Sequence, residues 1–463
     1  MSEPSLNYCH FSGLAGGGMS ALAQYLRFAG HAVSGSDRVF DRGTEQEKRA
    51  YFERHGIQIL PQDGSGLDAT HTALIVSTAI ESDNPEIRRA RDLGIPLLHR
   101  SELLARICSG KKTVAVAGTS GKSTVAGMMY HVLEAGGLAP SLITGANLIS
   151  LESRGLLGNA AAGSGEWLVI EADESDGSLT RYRPEVGVLL NIDKDHQEIE
   201  ALMPLFQTFR SQSKRAVINS GEPRCMVFKH EGDMLFDRES VDGLRLGNLV
   251  LEEWNSRFSL GGVDFELNVP GRYNVENALA AIALGKLLGI SFAACAKGLR
   301  QFKGVERRFI RVGEVRGITV VDDFAHNPAK VKAALETAKG KLHGENRRVL
   351  AIFHPHGFAP MKLVGRDIMD SIAEVLDVND RVFFPEIYYV GGTADKSISS
   401  ADLIAYLNTQ KSIGRFLPTK VEVLEAVAGE TQSGDFVISM GARDPDLGRF
   451  AEELFRLIRN KFL

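Results

Sequence analysis

With 463 residues the chain exceeds what one hydrophobic core usually supports, and about three domains are expected. Its 53 basic and 58 acidic residues are interspersed and leave a net charge of -5, which excludes a basic nucleic-acid footprint and an acidic tail. Cys9, Cys108, Cys225 and Cys295 are too scattered for a disulfide framework or a metal spacing. With no leader-like N-terminus and no apolar run of about 18 residues, a cytoplasmic protein without membrane insertion is expected.

The first region runs from residue 8 to about 107. A strand over 8–12 leads into Gly13-Leu14-Ala15-Gly16-Gly17-Gly18 and a helix from Met19 to about 29. A second strand, 31–34, ends at Gly35-Ser36-Asp37, placing an acidic residue where a ribose hydroxyl can be held. Ala15 stands where the dinucleotide fingerprint has a glycine, so the turn offers N–H groups to a diphosphate without completing that motif. Strands at 56–59, 72–76 and 95–98, with helices to residue 93 and over 99–107, describe a small parallel sheet. Ser77 and Thr78 follow the strand at 72–76.

The second region opens at residues 114–128, VAVAGTSGKSTVAGM, read as a buried strand, a Gly-rich turn and a helix opening at Lys122–Ser123. The usual Gly-x-x-x-x-Gly-Lys-Ser/Thr pattern needs a glycine where Val116 stands, so the match is to the shorter Gly-Thr-x-Gly-Lys-Ser form. Backbone N–H groups, a helix N-terminus, a lysine and a hydroxyl at one point are what an oligophosphate with a divalent ion requires. Gly118, Thr119, Ser120, Gly121, Lys122, Ser123 and Thr124 therefore compose an ATP site.

Strand 167–170 ends at Glu171-Ala172-Asp173-Glu174, and strand 186–190 ends at Asn191-Ile192-Asp193-Lys194-Asp195-His196. Two polar clusters at strand ends beside a phosphate turn point to hard oxygen ligands for Mg²⁺; His196 fits a helix cap or a base equally well. Runs at 215–219, 232–236 and 258–260 suggest antiparallel excursions. Strand 265–269 leads into a helix reaching about 289, with Asn274 and Asn277 at its mouth. Their amides can pair with a base or ribose, and capping serves equally for Asn274. Arg307 and Arg308 fit a solvated linker or, turned inward, phosphate ligands.

The third region starts near Arg311. Strand 319–321 ends at Asp322-Asp323-Phe324-Ala325-His326-Asn327-Pro328, with a helix over 329–338. Strands 348–353, 381–384 and 436–439 follow, the first ending at His354-Pro355-His356-Gly357 and the last at Met440-Gly441-Ala442-Arg443-Asp444, and a helix over 447–462 closes the chain.

The ordered motifs HFSGLAGGGMSALA, VSGSD, VSTAI, DNPE, HRSELL, GTSGKST, EADESDGSL, NIDKDH, GRYNVENALAAIA, GVERRF, DDFAHNP, FHPH and SMGARD resemble those of the Mur ligase family over essentially the whole chain. The resemblance implies an α/β protein of three domains. A Rossmann-like N-terminal domain (1–108) holds a UDP-linked amino sugar. A central P-loop ATPase-type parallel-sheet domain (109–310) holds ATP and Mg²⁺. A C-terminal Rossmann-like α/β domain (311–463) receives an amino acid or short peptide.

By the same resemblance Lys122, Glu171, His196 and His326 are catalytic, and Ser123, Glu171 and His196 hold the metal, with Glu174 a secondary candidate. Asn274, Arg307 or Arg308, and Asp323 join the ATP set. Gly13, Ala15, Gly16, Gly17, Gly18, Met19, Ser20, Asp37, Ser77 and Thr78 form the UDP-sugar set. The implied chemistry is phosphorylation of a carboxylate to an acyl phosphate, then attack by an amine, with hinges at 108–112 and 309–313. HRSELL, VSTAI and DNPE draw the resemblance towards the alanine-adding branch, which implies joining of L-alanine to UDP-N-acetylmuramate, while Ser120, Ser123, Tyr273, Asn327, Gly357 and Arg443 depart from that branch. They leave open addition of a murein tripeptide, another UDP-sugar, or, in a different class, a non-ligating nucleotide switch. A monomer or homodimer is expected.

Overall fold

Short apolar strands alternate with helices whose ends are written in the sequence. The computed structural model describes residues 5–194, 198–342, 347–389 and 395–463. The first domain contains β1 (Tyr8–Ser12), α1 (Gly17–Phe28), β2 (Ala32–Ser36), α2 (Arg38–Asp41), α3 (Gln46–Arg54) and β3 (Gln58–Ile59). It continues with β4 (Ala73–Val76), α4 (Pro85–Leu93), β5 (Leu97–His99) and α5 (Arg100–Ser109). Asn84 caps α4 by accepting from the Glu86 N–H at 2.8 Å, with Pro85 in the first turn and Gly94 left-handed at the end. The five strands are parallel in the order β3-β2-β1-β4-β5. Strand order reverses between β1 and β4, so the Gly13–Gly18 turn and Ser77–Thr78 flank the crevice where such sheets bind ligands.

The central domain begins with β6 (Lys112–Ala117), α6 (Lys122–Ala135), β7 (Ser141–Ile143), α7 (Ile149–Glu152), β8 (Ala160–Ala161), β9 (Trp167–Ala172) and β10 (Val186–Leu189). Then come α8 (Ile199–Gln212), β11 (Arg215–Asn219), α9 (Pro223–Met226), β12 (Met234–Phe236), β13 (Ser240–Val241) and β14 (Leu244–Arg245). These strands form one sheet in the order β14-β13-β12-β11-β10-β6-β9-β7-β8. Its central strand β6 is buried on both faces. Val114 and Val116 point into one apolar cluster, while Ala115 and Ala117 join another that reaches into the first domain. A phosphate turn that follows such a strand inherits a fixed origin.

β15 (Gly247–Leu251), β16 (Ser256–Leu260) and β17 (Val263–Leu267) make a separate antiparallel sheet, and α10 (Arg272–Leu287) and α11 (Phe292–Gln301) pack against the core. Two expectations are corrected here. The run at 215–219 pairs parallel to β10 as β11, the run at 232–236 pairs parallel to β11 as β12, and antiparallel pairing begins only at β13.

The third domain holds β18 (Ile310–Val315), β19 (Ile318–Asp323), α12 (Pro328–Lys339), β20 (Val349–His354), α13 (Phe358–Val375) and β21 (Arg381–Phe384). It ends with α14 (Ser400–Gln410), β22 (Gly414–Phe416), α15 (Lys420–Glu430), β23 (Phe436–Gly441) and α16 (Leu447–Phe462). Strand order is β18-β19-β23-β20-β21-β22, parallel except for β18. The register pairs Asp323 with Met440 and His354 with Gly441, so the polar ends of three strands share one edge. The three domains fall into two compact units, residues 1–305 and 306–463; the sequence placed that break at 310/311. Among the described residues no helix is long and apolar enough to cross a membrane.

Candidate active site

The turn between β6 and α6 is built from inside the central domain. Gly121 has φ 85°, a conformation L side chains avoid, and a Cβ there would lie 2.9 Å from Asn277 Oδ1. The turn can therefore pass close beneath α10. Asn191, just past the end of β10, braces the other side. Its Oδ1 accepts from the Thr119 hydroxyl (2.9 Å) and the Ser120 N–H (2.8 Å), and its Nδ2 donates to the Ser120 carbonyl (3.1 Å). Thr119, Ser123 and Thr124 are all buried.

Lys122 opens α6 and extends its ammonium along the turn, donating to the Gly118 carbonyl at 2.8 Å and pairing with Glu174 at 2.7 Å. Burial works against the charged amine, but Glu174, Asp173 and Glu171 outweigh it and hold the lysine protonated above its ordinary range. Ser123 donates to Glu171 Oε2 at 2.9 Å. The opposite oxygen of Glu171 accepts from the Thr144 hydroxyl and, at 2.9 Å, from the Gly145 N–H. Register places Glu171 opposite Val116, so the carboxylate stands at the mouth of the phosphate turn.

A hydroxyl and a carboxylate oxygen meeting beside a phosphate turn suit Mg²⁺, which takes few protein oxygens and completes its shell with phosphate and water. The expected pairing of Ser123 with Glu171 is thus present. His196 lies outside the described residues.

The first domain's turn is closed by its own backbone. The Gly13 and Leu14 N–H groups both donate to the Ser36 carbonyl at 2.9 Å. The Asp37 carboxylate accepts from the Ala15 N–H (2.9 Å) and caps α2 through the Val39 N–H (3.1 Å), so it also shapes the turn. Gly16, Gly17 and Gly18 supply the helix N-terminus. Met19 and Ser20 were placed in the same ligand set, but both are buried; the Ser20 hydroxyl donates to the Gly17 carbonyl at 2.9 Å. They serve the packing of α1. Ser77 is half-buried and Thr78 exposed at the carboxyl edge.

Asn274 stands at the mouth of α10. It is buried inside the first turn of α10, with its Nδ2 on the Pro270 carbonyl at 2.7 Å and its Oδ1 accepting from Asn277 at 3.4 Å. Both ends of the amide are already used, and Asn277, not Asn274, borders the phosphate turn.

In the C-terminal unit Arg307 is committed to its own sheet, donating to Asp322 at 2.9 Å and to the Gly441 carbonyl at 3.0 Å. Arg308 lies over the Phe324 ring, 4.8 Å from its centroid. Asp323 is buried at the end of β19, and that burial pushes its carboxyl up to about 6. His326 donates through Nδ1 to the Phe324 carbonyl at 2.8 Å, and its ring meets His356 edge-on at 5.6 Å.

Three residues were missed as site members. Asn191 and Thr144 each follow an apolar strand immediately, a signal open to reading. Gly145 acts through its backbone N–H, which leaves no mark in residue type.

Three family profiles match the chain: Mur ligase family, catalytic domain, over residues 8–112; Mur ligase middle domain over 116–285; and Mur ligase, glutamate ligase domain, over 307–443. The UDP-N-acetylmuramate–L-alanine ligase of Thermosynechococcus vestitus is 35% identical over 460 residues, covering 94% of this chain and 92% of that protein. The crystal structure of a UDP-N-acetylmuramate–alanine ligase from Thermotoga maritima superposes with a TM-score of 0.79 at 25% identity, covering 98% of this chain and 99% of that one. A murein peptide ligase from Psychrobacter arcticus shares the fold, with a TM-score of 0.65 at 21% identity over 98% of this chain and 99% of that one.

Proposed function

The chain belongs to the Mur ligase family, and from that premise we propose that it is an ATP-dependent, ADP-forming ligase joining L-alanine to the carboxylate of UDP-N-acetylmuramate in peptidoglycan precursor synthesis. The observation that carries the reading is the meeting of Lys122, Ser123 and Glu171 at the carboxyl edge of the central sheet. It stands in a chain similar along 94% of its length to a ligase of that name.

In the nucleotide complex Lys122 exchanges Glu174 for phosphate oxygens, which the helix N-terminus and the turn N–H groups surround. Ser123 and Glu171 hold Mg²⁺, and His196 joins them on the family resemblance alone. The ion, when bound, offsets the charge on the transferring phosphoryl group. A carboxylate oxygen of the sugar attacks the γ-phosphorus and ADP departs. The alanine amine then attacks the acyl carbon, the acyl–phosphate bond breaks, and phosphate leaves. No protein nucleophile is required, so the residues work by position and charge. The first domain takes the UDP-sugar at Gly16–Gly18 with Ser77 and Thr78, and the third takes the amine. The reaction is placed in the cytoplasm, with the enzyme a monomer or homodimer.

The test is phosphate release from Mg·ATP with UDP-N-acetylmuramate and L-alanine. Release that requires both substrates is expected. Release from ATP alone, or with the murein tripeptide replacing alanine and not with alanine, overturns the proposal.

A further inference from the structure

Asn159 directly precedes β8 in the central domain and is 1% exposed, yet every polar atom of its side chain is engaged with α1 of the first domain. Its Nδ2 donates to the Gly17 carbonyl at 2.9 Å and to Ser20 Oγ at 2.8 Å. Its Oδ1 accepts from Gln24 Nε2 at 2.8 Å. Gln24 is itself fixed, because the Tyr51 hydroxyl donates to its Oε1 at 3.0 Å.

The backbone of Asn159 leads the other way. Its carbonyl accepts from the Thr144 N–H at 3.0 Å. The Thr144 hydroxyl and the Gly145 N–H both donate to Glu171 Oε1, and Glu171 Oε2 accepts from Ser123. A steric contact runs beside this chain, since a Cβ on Gly17 would lie 2.7 Å from the Gly145 carbonyl oxygen. The turn assigned to the UDP-sugar and the carboxylate assigned to the metal are therefore joined by a continuous run of hydrogen bonds, buried where Asn159 meets Ser20 and Gln24 and partly exposed where it reaches Glu171. Such a network resists the movement of one member alone.

We infer that Asn159 is a positioning residue that couples the two ligand sites. Settling of the UDP-sugar on the N-terminus of α1 is carried through Asn159 and Thr144 to the carboxylate of Glu171, so each ligand alters the affinity for the other. The inference rests on the proposed function. Linkage requires the coupling factor to be equal in both directions.

The experiment is calorimetric titration of Mg·ADP with and without UDP-N-acetylmuramate, and the converse. In the wild-type chain a factor of about 5 or more is expected, the low end of ordinary allosteric coupling. Asn159→Leu keeps the volume and removes the polar contacts, and should bring the factor towards 1 while each ligand alone still binds. Thr144→Val cuts the same route where it meets Glu171, so Mg·ADP binding should itself weaken while the factor still moves towards 1, and this decides the matter if Asn159→Leu does not fold. A folded variant with weaker binding of each ligand but an unchanged factor marks a merely structural role and overturns the inference; so does a wild-type factor of 1. Failure of the wild-type chain to bind either ligand instead overturns the functional reading.

Discussion

Lys122, half-buried where α6 opens beyond β6, and Asp323, buried at the end of β19, are both ionisable groups at the carboxyl edge of a sheet, yet their surroundings treat charge in opposite ways. Around Lys122 the central domain collects Glu174, Asp173 and Glu171, and the lysine is held charged in spite of its burial. Around Asp323 burial dominates over Arg308, and the carboxyl is lifted to about 6. His354 on the same edge is fully buried and pushed down to about 3, so it stays neutral. Phosphoryl transfer needs a charge standing ready at a fixed point. The edge assigned to the amine instead carries Asp323 and His354, two buried groups whose burial disfavours the charged form.

The most severe way to break that contrast is Lys122→Ala. Without the ammonium the phosphates lose their one side-chain cation in the turn, and turnover should fall on the order of 10³-fold. Affinity for UDP-N-acetylmuramate, measured by calorimetry, should stay within about twofold. Equal loss of both would mean that the two turns do not divide the work. Ser123→Ala is milder, since Glu171 remains, and Mg²⁺ affinity measured with ADP should fall about 10-fold to 100-fold. Unchanged affinity would remove Ser123 from the metal site.

The two buried groups of the C-terminal edge are exposed by pH. A histidine whose folded value is about 3 leaves the native state unprotonated where the unfolded chain takes up a proton below 6.5. It therefore lowers stability as pH falls from about 6.5 towards 3. Asp323 has the opposite sign: the native state keeps its proton up to about 6 while the unfolded chain releases it near 3.8, so stability falls as pH rises through that window. Between about pH 4 and 6 the two slopes cancel. Removing one unmasks the other at up to about 1.4 kcal/mol per pH unit. Denaturant melts should show His354→Gln gaining stability on acidification from pH 6 to 4 relative to wild type, and Asp323→Asn losing it. Parallel curves for all three proteins would mean that neither group is held as described.

Much of this was legible in the sequence because strand, turn and helix signals coincide. The span of β1 matches residue for residue, as do β11, β21 and α16, and the lysine, the hydroxyl and Glu171 fall where expected. One ambiguity recurs among the polar residues. Asp37, Ser20 and Asn274 are polar residues at strand and helix ends, where chemistry and local hydrogen bonding compete for the same groups. Residue type says that such a group can bind a ligand; only the fold shows that Ala15, Gly17 or Pro270 has already taken it. Asn159 gave no signal at all, since its partners lie more than a hundred residues away.

Arg307 tests the smallest difference between the two edges. It has φ 57°, an uncommon conformation for a side-chain-bearing residue, and it spends its guanidinium on Asp322 and the Gly441 carbonyl, linking the ends of β19 and β23. A lysine there keeps the charge but loses the fork that reaches both acceptors at once. Arg307→Lys should therefore cost about 1 kcal/mol in a denaturant melt of the C-terminal unit, while Mg·ADP affinity stays within about twofold. The reverse outcome, unaltered stability with weakened nucleotide binding, would return Arg307 to the nucleotide. The compensated charge at this edge would then serve catalysis, the role proposed for the charge beside Lys122.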